Sequence, residues 1–437
     1  MSASRPNILF LFTDDQRFDA VGALGNPEVI TPNMDRLVQN GTALTHATVM
    51  GSTVPAVCQP SRAMLMTGRT LYHAPRDCGE FVTLPQHLRE AGYQTFGTGK
   101  WHNMPDSYAR SFSDGASIFY GGMSNHLEVP VFDFHPDGRY PEEDRYIGKQ
   151  FSSKLFSDAA IDFLQRADDD RPFMAYVSYT APHDPRMAPQ EYADLYDPSR
   201  IAVPENFQPV HPFNNGEMVI RDEMLAAFPR TPETVQEHIA AYWAMITHLD
   251  AQIGRVLDAL EETGRAEDTI IVFAGDNGLA VGQHGLMGKQ NMYDHSVRVP
   301  LVFSGPGIPA GARSGALCYL LDIFPTLCDL VDLPVPETVE GRSLARVLHG
   351  EDDRLRESLL FAYMDCQRAV RDDRWKLIEY FGEAERVTQL FDIAADPWET
   401  ANLAATPEMS DQVARLRAEM AAWQRQADDP MGGRVCP

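Results

Sequence analysis

The sequence predicts an α/β protein: a large, mostly parallel sheet sandwiched by helices, followed by a small C-terminal antiparallel α+β subdomain. Three observations carry that prediction. Apolar runs that end abruptly in polar residues recur along the chain, and amphipathic stretches with helix start and stop signals alternate with them. Beyond about residue 355 both give way to short strands and one closing helix.

Residues 8–12, Ile-Leu-Phe-Leu-Phe, are apolar throughout and run into Thr13-Asp14-Asp15, the pattern of a strand covered on both faces. A helix follows at Pro32, with Thr31 as its expected cap, Met34, Leu37 and Val38 on one face, and Gly41 as its stop. The same signals recur at 84–91, between Thr83 and Gly92, and 95–98 then reads as a strand leading to Lys100-Trp101-His102. Residues 157–166 have helical periodicity, and 173–179 form a buried strand closed by Ala181-Pro182-His183. A long helix is expected over Pro232–Glu262, with Ile239, Tyr242, Ile246, Leu249 and Ile253 on one stripe. Thr269–Gly275 and 300–304 are further strands, and 320–331 is a helix interrupted early by Pro325. The closing segment predicts strands at Leu359–Tyr363, 368–371, 376–380 and 389–392, then a helix over 409–425. The expected division is therefore a main domain over 1–355 and a subdomain over 356–437. Segments 103–150 and 184–231 have weak periodicity and read as long excursions, which in compact domains are usually functional.

Composition narrows the function. The chain has 437 residues, 44% hydrophobic and 23% charged, which excludes wholesale disorder and fibrous repeats. A net charge of −25 repels nucleic acid and anionic membrane surfaces, so neither is an expected partner. No stretch reaches the roughly 18 uninterrupted apolar residues of a membrane span. Six cysteines, at 58, 78, 318, 328, 366 and 436, include no C-x-x-C pair and form no zinc or disulfide framework. The run at 8–12 comes too early and is too short for a secretory leader, so a reducing cytoplasm is the expected compartment.

The chemistry concentrates at strand ends. Pro60 and the helix formers after it place Cys58 at or just before a helix N-terminus, where free N–H groups favour an anion and suit a nucleophile. Asp14-Asp15 and Asp276-Asn277 each lie just past the carboxyl end of an apolar strand, the edge at which open α/β sheets bind ligands. Three carboxylates gathered there repel one another unless a divalent cation neutralises them, and all-oxygen donors suit Ca²⁺ or Mg²⁺ better than zinc. Lys100 and His102, at i and i+2, share one face if the segment stays extended. His183 ends another strand, and Lys289 sits in a glycine-rich loop after the Asp-Asn pair.

Cys58-x-Pro-Ser-Arg62-Ala with Leu65-x-Thr67-Gly-Arg69 resembles the signature of type I sulfatases in the alkaline phosphatase superfamily. The likeness extends from Pro6-Asn-Ile-Leu-Phe through Gly288-Lys289 to Arg374-Trp-Lys-Leu and Leu390-Phe-Asp-Ile. It implies an alkaline-phosphatase-like fold and a sulfuric ester hydrolase whose nucleophile is the hydrate of formylglycine, made from Cys58 by a sulfatase-maturation enzyme. It further implies calcium, ahead of magnesium or manganese, held by Asp14, Asp15, Asp276, Asn277 and the modified Cys58. Arg62, Lys100, His102, His183 and Lys289 match the family's sulfate-binding and proton-transfer residues. The rival within the superfamily is a phosphonate monoester or phosphodiester hydrolase, although Asn277 favours the calcium sulfatase. An inactive binding protein of the same fold is the rival from another class. Polar side chains in the excursions, His126, Asp133, Arg139, Arg186, His211 and Arg221, favour a sulfated saccharide, with choline sulfate or an aryl sulfate behind it.

Overall fold

A computed structural model describes residues 5–382 and 386–432. The main sheet has eight strands in the order Ala312–Ser314, Gly41–Leu44, Leu301–Ser304, Thr269–Gly275, Asn7–Thr13, Phe173–Ser178, Gln94–Lys100, Asp114–Phe119. Neighbours are parallel except Leu301–Ser304, which runs against both of its partners. The α/β architecture predicted from the alternation is the one observed.

The central strand shows why an uninterrupted apolar run was needed. All seven residues of Asn7–Thr13 are buried. Successive side chains point to opposite faces, so Ile8, Phe10 and Phe12 enter one core while Leu9 and Leu11 enter the other. The first core is closed by Cys58–Thr67, Leu84–Glu90 and Ile323–Leu330, through Leu65, Leu88 and Leu327. The second is closed by Ser152–Arg166 and Pro232–Glu262, through Phe163, Ile246 and Ile253. Each such side chain contributes roughly 1.5–3 kcal/mol on burial.

Register sets the functional edge. Thr13 pairs with Gly275, Phe12 with Ser178, and Gly99 with Ser178. Asp14, Asp276 and Lys100 therefore leave their strands at one rim.

The cap of the Pro32–Asn40 helix differs from expectation. Thr31 makes no capping bond to it. Instead Asp250, on the long helix, accepts from the Asn33 and Met34 N–H groups at 3.1 and 2.7 Å. Thr83 does cap Leu84–Glu90 through the Gln86 N–H. Gly41 ends one helix and also opens the Gly41–Leu44 strand. Segment 103–150 holds a helix, Pro105–Ser111, and the edge strand Asp114–Phe119. Its Asp-Gly-Ala-Ser start lacks the β-branched residues that mark a strand.

The second sheet has the order Arg386–Asp392, Trp375–Phe381, Gln367–Arg371, Leu359–Tyr363, Gly51–Ser52. The helix Ser410–Gln426 covers one face, packing Leu416 and Met420 on Leu360, Val370 and Leu377. The other face sends Phe361, Ala369 and Ile378 into the main core. Gly51–Ser52 lies parallel to Leu359–Tyr363, and only glycine fits there: Gly51 has φ +103°, and a Cβ would stand 2.0 Å from the Ala362 carbonyl oxygen. The C-terminal sheet is thereby stitched to the chain seven residues before Cys58. Cysteines 58, 78, 318, 328 and 366 are free thiols, and Cys436 lies outside the described residues.

Candidate active site

Cys58 is the first residue of the Cys58–Thr67 helix and is 3% exposed. Its Sγ lies 3.4 Å from Lys100 Nζ and 3.4 Å from His102 Nδ1. Lys100 and His102 do converge, but through a left-handed turn: His102 has φ 68°, so the segment is not extended. One turn along the helix, Arg62 is fully buried. Its Nε donates to Asp276 Oδ2 at 2.9 Å, and its Nη1 donates to the Lys100 carbonyl at 2.8 Å and to Ser178 Oγ at 2.6 Å. Phe12 lies under the guanidinium, 4.9 Å from ring centre to carbon. The helix is fastened to the same rim by Ser61 Oγ, which donates to the Asp276 carbonyl at 2.6 Å.

Carboxylates and cations interleave. Lys100 donates to Asp14 Oδ2 at 2.6 Å, and Lys289 to Asp15 Oδ1 at 2.6 Å. Asn277 Nδ2 also donates to Asp15 Oδ1, at 2.7 Å, and the Asp15 N–H donates to Asp276 Oδ1 at 3.0 Å. His183 Nε2 is 3.6 Å from Asp15 Oδ2. Burial pushes Asp14 up to about 6 despite Lys100, and burial together with the Asp14 charge does the same to Asp276. Burial acts likewise on Asp15, but His183 and Lys289 outweigh it and hold that carboxylate well below its ordinary value. Burial, then the Lys100, Arg62 and Lys289 charges, lowers His102 to about 2, which keeps its ring neutral.

Two oxygens stay unsatisfied in this arrangement. Asp14 Oδ1 and Asn277 Oδ1 are buried and have no hydrogen-bond donor among the described residues. Leaving such an acceptor bare costs about 1–3 kcal/mol, so these atoms are shaped for something else to bind. The donors of Asp14, Cys58 and Asp276 lie within 4.8 Å of one another, as do those of Asp14, Asp15 and His183. A hard divalent cation fits this donor set.

The site opens into a cleft of about 280 Å³ that Cys58, His102, His183 and Lys289 line together with Met123 and Arg221. His183 is fixed from behind by His126, whose Nε2 lies 2.9 Å from its carbonyl oxygen. Of the excursion residues expected near the substrate, only Arg221 lines the cleft. Asp133 accepts from Tyr146, Arg186 binds His238, His211 meets Phe213 edge to face, and Arg139 lines a separate hollow with His135. Ser178, Asp184, Asp222 and Gln290 escaped sequence reasoning. Ser178 could have been found as the last residue of a strand ending at the functional rim; the other three had no distinguishing signal.

A thiol-bearing helix start beside three buried cations and a nest of hard oxygens is built to receive a tetrahedral oxyanion, and with this sheet it defines an ester hydrolase of the alkaline-phosphatase type. The sulfatase family model matches residues 6–333, and the model for the C-terminal region of N-sulphoglucosamine sulphohydrolase matches 282–426. The chain belongs to the sulfatase family of enzymes. It is 28% identical to an N-acetylglucosamine-6-O-sulfatase of Bacteroides thetaiotaomicron, over 97% of this chain and 87% of that one. It is 30% identical to an ulvan-active sulfatase of Formosa agariphila, over 95% and 80%. A solved structure bound to its substrate, D-glucosamine-2-N,6-O-disulfate, superposes with a TM-score of 0.82 at 24% identity, covering 98% of this chain and 99% of that one. No helix among the described residues is long and apolar enough to cross a membrane.

Proposed function

We propose that this protein hydrolyses the sulfate ester of a sulfated saccharide, using formylglycine formed from Cys58 and a bound calcium ion. The observation that carries the reading is the meeting of Cys58 Sγ with Lys100 and His102 beside the two bare oxygens of Asp14 and Asn277. Relatives that act on N-acetylglucosamine 6-O-sulfate and on ulvan support the saccharide. Asp14, Asp15, Asp276 and Asn277, with the modified residue 58, would hold the calcium. The aldehyde hydrate would supply one hydroxyl, its ionisation favoured by the bound cation, to attack sulfur, and a second hydroxyl whose loss of a proton would re-form C=O and expel sulfate from the first oxygen.

The chain's own side chains do the rest. Arg62, Lys100 and Lys289 place fixed positive charge where negative charge grows on the sulfuryl oxygens, and being buried they need no reorganisation. His183 lines the cleft beside Asp15 and protonates the departing oxygen. His102, neutral and with Nδ1 facing residue 58, takes the proton of the remaining hydroxyl as sulfate leaves. Since Cys58 is 3% exposed in the folded chain, its conversion by a maturation enzyme belongs before closure of the fold. Residues 1–355 form the catalytic unit in this reading, and 356–437 the subdomain that braces it.

The test is direct. Peptide mass spectrometry of protein from its native host reads the state of residue 58, elemental analysis reads the metal, and ion chromatography reads sulfate released from a panel of sulfated saccharides. Unmodified Cys58 with no sulfate release, or faster turnover of a phosphonate monoester than of any sulfate ester, overturns the proposal.

A further inference from the structure

Asp14 and Asp15 leave the same strand, but Asp15 does so on an unusual backbone. Its φ is 63°, in the left-handed region that residues with a Cβ seldom adopt, although aspartate visits it more often than most. The backbone groups around that turn meet a single phenol. Tyr242 Oη donates to the Asp15 carbonyl at 2.7 Å and accepts the Arg17 N–H at 3.0 Å. One hydroxyl therefore closes the turn in both directions, and its only proton is committed to the Asp15 carbonyl. Tyr242 lies on the long helix Pro232–Glu262, is 1% exposed and packs in the second core, so the turn is braced from a fixed element.

Arg17 carries the brace across to the other pair of oxygen donors. Its Nε and Nη2 donate to Asp19 Oδ1 and Oδ2 at 2.7 and 2.6 Å, and its Nη1 donates to the Leu279 carbonyl at 3.3 Å. Leu279 stands two residues after Asn277, so the segments bearing Asp14–Asp15 and Asp276–Asn277 are fastened to each other as well as to the long helix. These bonds use backbone groups and the Asp19 side chain and take no oxygen from the carboxylates of Asp14, Asp15 or Asp276, so they persist whichever cation those carboxylates face. The Tyr242 ring lines a separate cavity of about 240 Å³ with Arg17, Asp19 and Trp243, away from the cleft into which Cys58 opens. Any effect of Tyr242 on the chemistry therefore passes through Asp15.

We infer that Tyr242 is a positioning residue for the calcium site: by bracing Asp15 in its left-handed turn it presents that carboxylate before an ion arrives, so that binding does not have to order the backbone as well. The inference rests on the calcium reading proposed above and deepens it.

Tyr242→Phe keeps the ring and removes only the hydroxyl. Calcium affinity, read by chelator competition on the purified enzyme, should fall by about tenfold or more. At saturating calcium kcat should stay within about threefold of wild type, with KM for the sulfate ester unchanged. Tyr196→Phe is the matched control, because the Tyr196 phenol also meets the long helix and a backbone N–H: it accepts from Ile30 at 2.9 Å and lies 2.6 Å from Thr247 Oγ1, and neither partner belongs to the rim. That variant should lose melting temperature to a similar extent while its calcium affinity stays at the wild-type value. In wild-type enzyme held in chelator, hydrogen exchange should already find the Arg17 amide protected. Unchanged calcium affinity in Tyr242→Phe, an equal loss of affinity in Tyr196→Phe, or an Arg17 amide that gains protection only when calcium is added overturns the inference and leaves the calcium reading intact. A wild-type enzyme that binds no calcium overturns that reading, and the inference with it.

Discussion

The buried charge at the rim of the main sheet and that where the C-terminal sheet docks differ in what they leave unfinished. In the second, Asp294 and Glu399 face Lys376 and Arg371. Asp294 Oδ1 lies 2.8 Å from Lys376 Nζ, and Oδ2 lies 3.3 Å from Arg371 Nη1. Glu399 Oε1 lies 2.8 Å from the same Lys376, and Oε2 accepts the Asp294 N–H at 2.8 Å. Every carboxylate oxygen there has a cation or a backbone N–H of the chain within 3.3 Å. At the rim, Asp14 Oδ1 and Asn277 Oδ1 have no hydrogen-bond donor among the described residues, the Arg62 guanidinium standing off at 3.9 Å from Asp14 Oδ1. A closed cluster ties one segment to another, whereas an open one awaits a ligand, and it is the leftover acceptors rather than the number of charges that tell them apart.

The sharpest way to break that distinction is to remove one group from each. Cys58→Ala should lower sulfate release by at least ~10⁴-fold, because the nucleophile is lost, while the melting temperature moves by no more than about 2 °C. Lys376→Met should do the reverse. It leaves Asp294 and Glu399 facing each other without their shared cation, at a cost of about 3–5 kcal/mol read by calorimetry, while molecules that remain folded keep their kcat. Large loss of kcat in folded Lys376→Met, or of stability in Cys58→Ala, would erase the contrast.

Much of this was legible in the sequence, for physical reasons that can be named. Strands covered on both faces must be apolar throughout, so residues 8–12 and Thr269–Gly275 announced themselves, and with them the rim positions Asp14, Asp15, Asp276 and Asn277. Cys58 stood out because Pro60 marks a helix start, and Arg62 through the resemblance of Cys58-x-Pro-Ser-Arg62 to the sulfatase signature. What escaped was structure made by distant partners. The Asp114–Phe119 edge strand has one neighbour in the main sheet and little apolar pattern of its own. Gly51–Ser52 is a strand only because Leu359–Tyr363 lies beside it. The pairing of Arg221 with Asp184 and Asp222 lies within one excursion, 184–231, that has no periodicity to read.

A pH titration of the metal-free protein sharpens the same comparison more gently. In the folded state Asp14 and Asp276 are each pushed up to about 6, from an ordinary 3.8, chiefly by burial. Between these values the folded chain holds more protons than the unfolded one, so stability falls as pH rises from about 4 to about 6. The combined loss should be on the order of several kcal/mol, measured by urea unfolding in chelator. Calcium binding to the ionised carboxylates should oppose the trend, adding about 2.7 kcal/mol at a hundredfold excess over its dissociation constant. Glu399 in the Asp294 cluster, pushed up to about 7 by burial, adds a fall of its own that calcium does not touch, so a slope unchanged by calcium would mean that the rim takes no cation.

The smallest effect belongs to Asp250, a buried carboxylate that is neither part of a charge cluster nor at the rim. It caps the Pro32–Asn40 helix from the side in place of Thr31, accepting from the Asn33 and Met34 N–H groups and from Asn33 Nδ2 at 2.9 Å. Burial pushes it up to about 6, and those hydrogen bonds recover only part of the shift. Below pH 4 it is protonated whether folded or not, and Asp250→Asn should then be close to neutral. Above pH 6 the wild type holds a buried negative charge with no cation beside it, whereas asparagine keeps an oxygen acceptor without the charge. The variant should therefore gain on the order of 1 kcal/mol over wild type between pH 4 and pH 7, visible as a rising difference in urea midpoints. Asp250→Ala, which removes the acceptor altogether, should lose about 1 kcal/mol at both ends of the range. If the asparagine variant is instead less stable at pH 7, charge is what the helix start requires, and the helix dipole outweighs desolvation at this position.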